Sequence, residues 1–438
     1  LVAYSLSVVS RVFSNAVNIP FWDEWELLNP GWIDSNFGSW IWAFHNEHRV
    51  VPTHLVFLIN KWVFGLDFRA QILMNLAAFL GFVFFCWREA GRFLGKAWDS
   101  WTSVSLGWAL SPTLSSLFVE NHLMAGQNCI LFALISYFWG CKLLLGSENP
   151  GFLRLMGGAF LWCVSIFSFG SGPPAVMAGW LVFSGRSLGL YRRDKSWMYF
   201  RRWATVTAVV VWSLLLWASG YRSIAWHPHP TPFWDPSYWL FLGHLVALGF
   251  GYGTGTSAPA VLGVFLLLVA GGLSMWIPAA ETENRWARFL KLPWLGLGIL
   301  AGLTAMLAAV AYGRAGFGLG WAGSGRYAET SSFLPWILWT AILLALQSVG
   351  PAGHLRLRRM IQGTGLLLWF FLGIGIPRHF SLRNYSVSGQ HRQNQKACAV
   401  GLLQPGPDSA TAECPDIYPG PIRGRVRRAA ELGYSFMK

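Results

Sequence analysis

Apolar runs alternate with short polar segments along almost the whole chain. Each run is about 20 residues long, which is the length that an α-helix needs to cross the hydrocarbon core of a bilayer. A transmembrane β-barrel would instead show alternating segments of about ten residues. The pattern therefore predicts an all-α fold, a polytopic bundle of transmembrane helices.

The runs predict a path of about eleven crossings, one for each segment of spanning length. Segment 51–66 is apolar but carries Pro52, His54, Asn60 and Lys61, so it is predicted to be a helix that lies at the membrane surface. The predicted membrane helices are 1–19, 70–87, 101–118, 128–145, 153–169, 173–184, 203–219, 258–278, 293–312, 331–349 and 361–376.

Two parts follow from this path, a transmembrane domain at 1–376 and an extracytoplasmic C-terminal tail at 377–438. The first residue is Leu, and segment 1–19 carries Arg11 and Asn15. Only its first ten residues are apolar, so we interpret this segment as the remnant of a first transmembrane helix truncated at its N-terminus. The basic start and the small-residue cleavage site of a signal peptide are not seen.

Composition and charge support the membrane prediction. The chain is 54% hydrophobic and 12% charged, whereas soluble domains carry about 25% charged residues. The net charge of +14 would favour nucleic-acid binding on a soluble protein. Here seventeen of the 33 Lys and Arg fall in short loops between apolar runs, which is the distribution of cytoplasmic loops and indicates contact with the bilayer, not with nucleic acid. These basic loops are 88–99, 142–154, 186–202, 285–291 and 356–359.

With the basic loops inside, loop 20–50 and the tail lie outside the cell membrane. The Trp residues of loop 20–50 are spaced as in helical pieces lying flat on the membrane, or as in an ordinary interfacial aromatic belt. Cys398 and Cys414 lie in the polar tail. An extracytoplasmic tail permits a disulfide between them, but the spacing alone leaves their pairing open.

The first candidate for chemistry is the pair Asp23 and Glu24. Loop 20–50 holds five of only nineteen acidic residues in the chain. Placing ionisable groups beside the membrane costs free energy, so their presence there indicates a function. Adjacent residues point in different directions on a helix, so the two carboxylates are not expected to act as a dyad. The alternative is a solvated acid at the start of a helix.

The second candidate is the sequence His45-Asn-Glu-His-Arg49. On a helix, His45 and His48 would share a face with Arg49 beside them. This set, together with Glu47, offers cations and hydrogen-bond donors that suit an anionic ligand such as phosphate. The spacing is not that of a zinc protease, and the alternative is a polar turn at the interface.

Two further polar groups fall on the same predicted side of the membrane. Glu120, Asn121 and Gln127 form one group, and Glu120 is predicted either to bind a sugar hydroxyl or to pair with Arg49 or Arg69. Arg326 and Tyr327 form the other, and an Arg at the outer mouth of a helix suits phosphate but also serves as an interfacial anchor.

These elements together resemble the GT-C superfamily of membrane glycosyltransferases, in which an acidic pair in the first extracytoplasmic loop is followed by interfacial helices. More narrowly, they resemble a group of uncharacterised bacterial multi-pass proteins associated with protein-mannosyltransferase-like enzymes. The shared elements are Trp22-Asp-Glu-Trp, His45-Asn-Glu-His-Arg, Glu120-Asn followed by Gly126-Gln, the Gly170-Ser-Gly turn, Arg326-Tyr and the Cys-containing tail.

The resemblance implies transfer of a sugar from a polyprenyl-phosphate donor to an acceptor hydroxyl with inversion, at the extracytoplasmic face of a bacterial inner membrane. It implies Asp23, or else Glu24, as the general base that takes the acceptor proton. The leaving phosphate needs a positive charge more than a proton donor.

Three sources of that positive charge are open: Arg49, Arg326, and one of His45 or His48. A divalent metal ion bound by Asp23 and a second carboxylate is a further alternative. Two other functions compete with glycosyl transfer. A multi-pass transporter or lipid flippase would place charges midway along its helices and often contain inverted repeats, and a non-enzymatic scaffold for polymer assembly would depend on the tail.

Overall fold

In the residues that it describes, the computed structural model is built almost entirely of helices, with one two-stranded hairpin. It describes residues 2–28, 37–95, 99–115, 118–221, 224, 227–252, 261–263, 269, 293–349, 355–375, 382–403, 414 and 422–437. The predicted helix 258–278 lies almost wholly outside the described residues.

The helices are numbered here in chain order. The N-terminal half contains α1 (Val2–Asn15), α2 (Phe37–Trp42), α3 (Val51–Phe64), α4 (Phe68–Leu94), α5 (Ser100–Leu110), α6 (Val119–Leu123), α7 (Asn128–Leu145), α8 (Phe152–Ile166), α9 (Gly172–Asp194) and α10 (Trp197–Ala218). The rest contains α11 (Pro236–Leu248), α12 (Trp294–Arg314), α13 (Gly325–Ser331), α14 (Leu334–Val349), α15 (Leu355–Gly375), α16 (Arg383–Gly401) and α17 (Arg423–Glu431). The hairpin strands are β1 (Phe44–His45) and β2 (His48–Arg49).

The predicted all-α class is confirmed. Within the described residues, four helical segments are long and apolar enough to cross a membrane: Phe68–Leu94, Ala125–Leu145, Trp294–Phe317 and Gly325–Gln347. Most of the predicted spans coincide with helices, and 128–145 coincides with α7 residue for residue.

Two local features differ from the predicted path. The predicted helix 101–118 is α-helical only to Leu110 and continues as a 3₁₀ turn, Ser111–Leu114, because Pro112 cannot donate an α-helical hydrogen bond. The predicted outside loop 220–257 contains α11. Asp235 caps that helix by accepting from the backbone of Ser237 at 2.8 Å, and a proline follows at the first helical position; both are sequence signals of a helix start.

The main apolar core lies among α4, α5, α7 to α12, α14 and α15. Glycines allow its helices to approach closely. A Cβ on Gly302 would lie 2.1 Å from the ring of Tyr137, and the hydroxyl of Tyr137 donates to the carbonyl of Gly298 at 2.5 Å. The core therefore positions the ends of α7 and α12, where the polar residues gather.

A second apolar core joins the tail to the N-terminal segments. The ring of Trp25, which is fully buried, lies 5.9 Å from that of Phe436, and the amide of Ser435 donates to the carbonyl of Gly65 at 2.9 Å. Trp25 is therefore a core residue, not a member of an interfacial belt. The tail predicted at 377–438 packs on the first loop through its two helices, α16 and α17.

Candidate functional site

A polar pocket of about 90 Å³ lies where the first loop meets the start of α7, the end of α12 and the start of α13. It collects acidic, basic and imidazole groups from segments far apart in the sequence. Its lining residues are Asp23, Glu24, His45, Asn46, His48, Val50, Thr53, Met124, Gly126, Gln127, Cys129, Ile130, Phe169, Arg314, Arg326 and Tyr327.

Arg326 is the central cation of this pocket. Its Nε donates to Oε1 of Glu120 at 2.6 Å, and its Nη1 lies 3.7 Å from Oδ2 of Asp23. Within the described part of the chain, its Nη atoms make no hydrogen bond. One guanidinium therefore lies between two carboxylates and still has donors for an anion. The partner of Glu120 is Arg326 and not the predicted Arg49 or Arg69.

The backbone beside Asp23 is held in an unusual conformation. Trp22 has a φ of 48°, a region that costs an L-residue with a bulky side chain roughly 1–3 kcal/mol. Its indole lies under Arg326, with the guanidinium carbon 5.9 Å from the ring. The conformation directs Asp23 towards Arg326, where about a third of the Asp23 side chain is exposed.

Glu24 points the other way and is almost fully buried. Its carboxylate accepts from the backbone amides of Phe21 at 2.8 Å and Gly126 at 2.6 Å. Burial raises the pKa of Glu24 to about 7, against the opposing charge of Arg392 and these two hydrogen bonds. Glu24 thus ties the first loop to the start of α7, while Asp23 faces the pocket.

Arg392 of the tail lies beneath this site and is not among the site residues predicted from the sequence. It is fully buried, and its guanidinium carbon lies 4.2 Å from the ring centre of Phe21. Its Nε and Nη1 have no hydrogen-bond partner among the described residues. Burial lowers the pKa of Arg392 to about 10, although Glu24 and Glu120 act to raise it.

The tail helix that carries Arg392 is fixed at both ends. Near its start, the hydroxyl of Tyr385 lies 2.6 Å from Nδ1 of His122. Near its end, Cys398 forms a disulfide with Cys414, with the two Cα atoms 6.1 Å apart. The pairing that the spacing left open is therefore present.

Residues 44–49 form a β-hairpin. The prediction that His45, His48 and Arg49 lie together assumed a helix and is wrong for Arg49. His45 lies opposite His48, and Phe44 lies opposite Arg49. Directly opposed residues share a face of a two-stranded sheet, so both histidines line the pocket and Arg49 points to the other side. Asn46, in the turn, has a φ of 53°, which asparagine tolerates.

Arg49 is accordingly placed outside the pocket. Its guanidinium donates to the backbone carbonyls of Trp42, Trp217 and Ser219 and lies over the ring of Phe44 at 4.1 Å. It therefore joins the hairpin to the C-terminal end of α10 and is not among the groups around Asp23.

His48 is held as a neutral ring. Burial, followed by the positive charge of Arg314, lowers the pKa of His48 to about 3. Its ring packs on Phe169, 4.6 Å between centroids, and a Cβ on Gly170 would lie 2.3 Å from its Nδ1. The Gly-rich turn therefore makes room for His48, which cannot supply a positive charge at neutral pH.

Glu47 lies in a second polar group beside the pocket. Its carboxylate pairs with Nδ1 of His227 and, at 3.2 Å, with Nη2 of Arg314. Burial acts to raise the pKa of Glu47, but the hydrogen bond from His227 and the charge of Arg314 outweigh it, so the pKa lies below its ordinary value. His227 and Arg314 were not singled out from the sequence.

This second group borders a cavity of about 360 Å³ that is lined by Trp217, Tyr221, His229 and Tyr312 as well as by Glu47 and His227. His48, Phe169, Arg314 and Tyr327 line both this cavity and the smaller pocket. The two spaces therefore share a wall.

The remaining predicted residues fall into two groups. Asn121 donates to Oε2 of Glu329 at 2.7 Å and to the carbonyl of Gly325 at 3.2 Å, so it fixes α6 to α13 and stays outside the pocket lining. Gln127 and Tyr327 line the pocket. Within the described residues, no group of three or more His, Cys, Asp or Glu side chains is arranged to hold a metal ion.

Comparison with protein-family models, with curated proteins and with solved structures finds no match for this chain.

Proposed function

We propose that the chain is a membrane glycosyltransferase of the GT-C kind, which transfers a sugar from a polyprenyl phosphate to an acceptor hydroxyl with inversion at the anomeric carbon. The observation that carries the proposal is the convergence of Asp23, Glu120 and Arg326. A base for a hydroxyl and a cation for a leaving phosphate lie side by side in a pocket.

In this mechanism, the acceptor oxygen attacks the anomeric carbon as its proton passes to the carboxylate of Asp23. The bond from that carbon to the phosphate oxygen breaks, and the electron pair leaves with the phosphate. Arg326 stabilises the charge that develops on this oxygen through its Nη donors. Glu120 holds the guanidinium in place through Nε.

The larger cavity beside the pocket supports a second role for this region. Aromatic rings and polar groups line it together, and such a mixture suits a hydroxylated ligand that needs both apolar contact and a few oriented hydrogen bonds. In this proposal, one substrate occupies the larger cavity and reaches Asp23 past the shared wall of His48 and Tyr327.

The proposal places the site on the extracytoplasmic side of a bacterial inner membrane, in a bundle of about eleven crossings by the length rule for spans. Two observations support that side. The tail helix under the pocket ends at a disulfide, a bond that persists in oxidising compartments. The basic residues Arg186, Arg192 and Arg193 lie in the C-terminal half of α9, whose other end begins beside the larger cavity, as expected at the cytoplasmic end of a membrane helix.

The test uses the full chain in membranes with a labelled sugar on a polyprenyl-phosphate donor. Asp23→Asn is expected to lower the transfer rate by roughly 10²–10⁴-fold, the usual contribution of a general base, and Arg326→Ala by a similar factor. Asp99→Asn is the control, because Asp99 is an exposed cap at the start of α5 and does not line the pocket, and it should keep most of the activity.

Normal transfer by Asp23→Asn would rule out the general-base role. A scaffold predicts the reverse order, with Asp23→Asn harmless and deletion of the tail disabling. A transporter or flippase predicts movement of the lipid donor across the bilayer without transfer of its sugar.

A further inference from the structure

A third polar cavity, of about 310 Å³, lies at the opposite end of the helix bundle from the candidate site. Glu89, near the end of α4, lines it, whereas Gln71, near the start of α4, contacts the carbonyl of Ala125 beside the candidate site. Eighteen residues separate Gln71 from Glu89, a rise of roughly 27 Å along a helix. The two sites are therefore distinct.

Positive charge dominates this cavity. The buried carboxylate of Glu89 pairs with Arg92 of the same helix and with Lys142 of α7. Arg154, in the first turn of α8, also lines the cavity and forms no ion pair with a described residue. Three cations thus surround one carboxylate, which leaves a net charge of +2.

The ion pairs with Glu89 fix the positions of Arg92 and Lys142 but leave both side chains able to contact a ligand. About half of the Arg92 side chain is exposed, and Lys142 also lies over the ring of Phe85 at 5.3 Å. Arg154 is exposed. Guanidinium and ammonium groups held in this way are suited to phosphate oxygens.

The rim of the cavity is apolar and exposed. Phe93 is 46% exposed, and Phe152 and Leu153, directly before Arg154, are 72% and 85% exposed. Large apolar side chains beside cations at the end of a spanning helix match the boundary between headgroups and acyl chains. An inorganic anion would contact only the cations. An anionic lipid would contact the cations through its phosphate and the apolar rim through its acyl chains.

We propose that this cavity binds the phosphate group of an anionic membrane lipid. Arg92, Lys142 and Arg154 contact the phosphate oxygens, and the acyl chains lie along Phe152 and Leu153. Inorganic phosphate shares the oxyanion chemistry but not the contact with the rim, which separates the two ligands experimentally.

The experiment measures which lipids the purified full-length protein retains from mixed bilayers of phosphatidylglycerol and phosphatidylcholine. The wild type is expected to retain several-fold more phosphatidylglycerol. Arg92→Gln/Arg154→Gln should lower this preference to near parity, while Lys142 still pairs with Glu89. Arg154→Gln alone, which leaves both ion pairs of Glu89 in place, should lower it in part.

The matched control is Arg201→Gln, an exposed arginine at the same end of the bundle, whose neighbour Arg202 contacts Asn149 at 2.6 Å. It should keep the wild-type preference. Equal loss in this control would show that general surface charge explains the preference, and an unchanged preference in Arg154→Gln and in the double variant would overturn the site. Displacement of the lipid by an equal concentration of inorganic phosphate would overturn the lipid assignment. None of these outcomes depends on sugar transfer.

Discussion

Nη1 of Arg326 lies 3.7 Å from Oδ2 of Asp23, although 303 positions separate the two residues in the sequence. The same guanidinium binds Glu120 through Nε. Two carboxylates would repel each other in this partly buried pocket without the cation between them. The arrangement therefore makes Arg326 the group on which the geometry of the pocket depends.

Replacement of Arg326 is expected to be more damaging than replacement of Glu120. Arg326→Gln removes the charge that stabilises the leaving phosphate and leaves Asp23 facing Glu120, so transfer should fall by roughly 10²–10³-fold. Glu120→Gln keeps the cation and an acceptor for its Nε–H, so the loss should stay below about tenfold, within the effect of a hydrogen bond to a charged group. Initial rates in membranes measure both, and equal losses would contradict the roles assigned.

The turn under His48 offers a steric test. A Cβ on Gly170 would lie 2.3 Å from Nδ1 of His48, so Gly170→Ala should push the ring into the shared wall of the two cavities and lower transfer by at least about tenfold, as small displacements in a site commonly do. Gly81→Ala is the control, because nothing lies within 4 Å of its new Cβ. Wild-type transfer rates for Gly170→Ala would show that the turn accommodates the new methyl group and would contradict the prediction.

The apolar pattern predicted the helices well because their length and periodicity are local properties. α7 coincides with its prediction, and the acidic pair, the histidines, Glu120 and Arg326 do converge on one region. Residues 44–49 fit a helix as well as a hairpin in the sequence, because six residues carry too little pattern to distinguish a helix from a strand. That change of element sends Arg49 away from the pocket, since alternate residues of a strand face opposite sides.

Arg392 and Arg314 could not have been found in this way. Each is one arginine among many, and its importance comes from a contact with a distant segment, Phe21 for Arg392 and Glu47 for Arg314. The start of α11 is different. Its Asp-Pro signal at residues 235–236 is visible in the sequence, but the Gly and Pro residues around it favour a loop.

The disulfide in the tail gives a test of sidedness. In a Cys129→Ser/Cys163→Ser background, a membrane-impermeant maleimide added to intact cells or right-side-out vesicles should label the chain only after reduction, at Cys398 and Cys414. The remaining free cysteines, Cys86 and Cys141, are buried. Cys398→Ser/Cys414→Ser is the control and should abolish the labelling. Labelling that needs permeabilised membranes would put the tail, and with it the pocket, on the cytoplasmic side.

Stability should depend on pH through Glu24. The pKa of Glu24 is raised from 4.5 to about 7, so the folded state holds this proton more tightly than the unfolded state does. The contribution of Glu24 is therefore fully present below about pH 4.5 and is lost as the pH rises to about 7. At about 1.4 kcal/mol per pKa unit, the loss is about 3 kcal/mol.

Unfolding of the detergent-solubilised chain at a series of pH values measures this dependence. Glu24→Gln should flatten the curve between pH 4.5 and 7, since the amide does not titrate. Asp99→Asn is a control from an exposed helix cap, and its curve should keep the wild-type slope in that window. An identical slope in the Glu24→Gln protein would assign the dependence to other groups.

The relation between Arg392 and Glu24 predicts a non-additive pair of substitutions. Above pH 7, Arg392→Met removes the positive charge that favours the ionised form of the buried Glu24 carboxylate, so the free energy of unfolding should fall. Glu24→Gln/Arg392→Met removes both charges and should be more stable than Arg392→Met alone, because the amide keeps one acceptor for the backbone and no charge remains to be desolvated. At pH 5.5 Glu24 is mostly protonated in the folded state, so the cost of Arg392→Met should shrink. Additive effects at both pH values would mean that Arg392 stabilises the tail through its contact with Phe21 and not through Glu24.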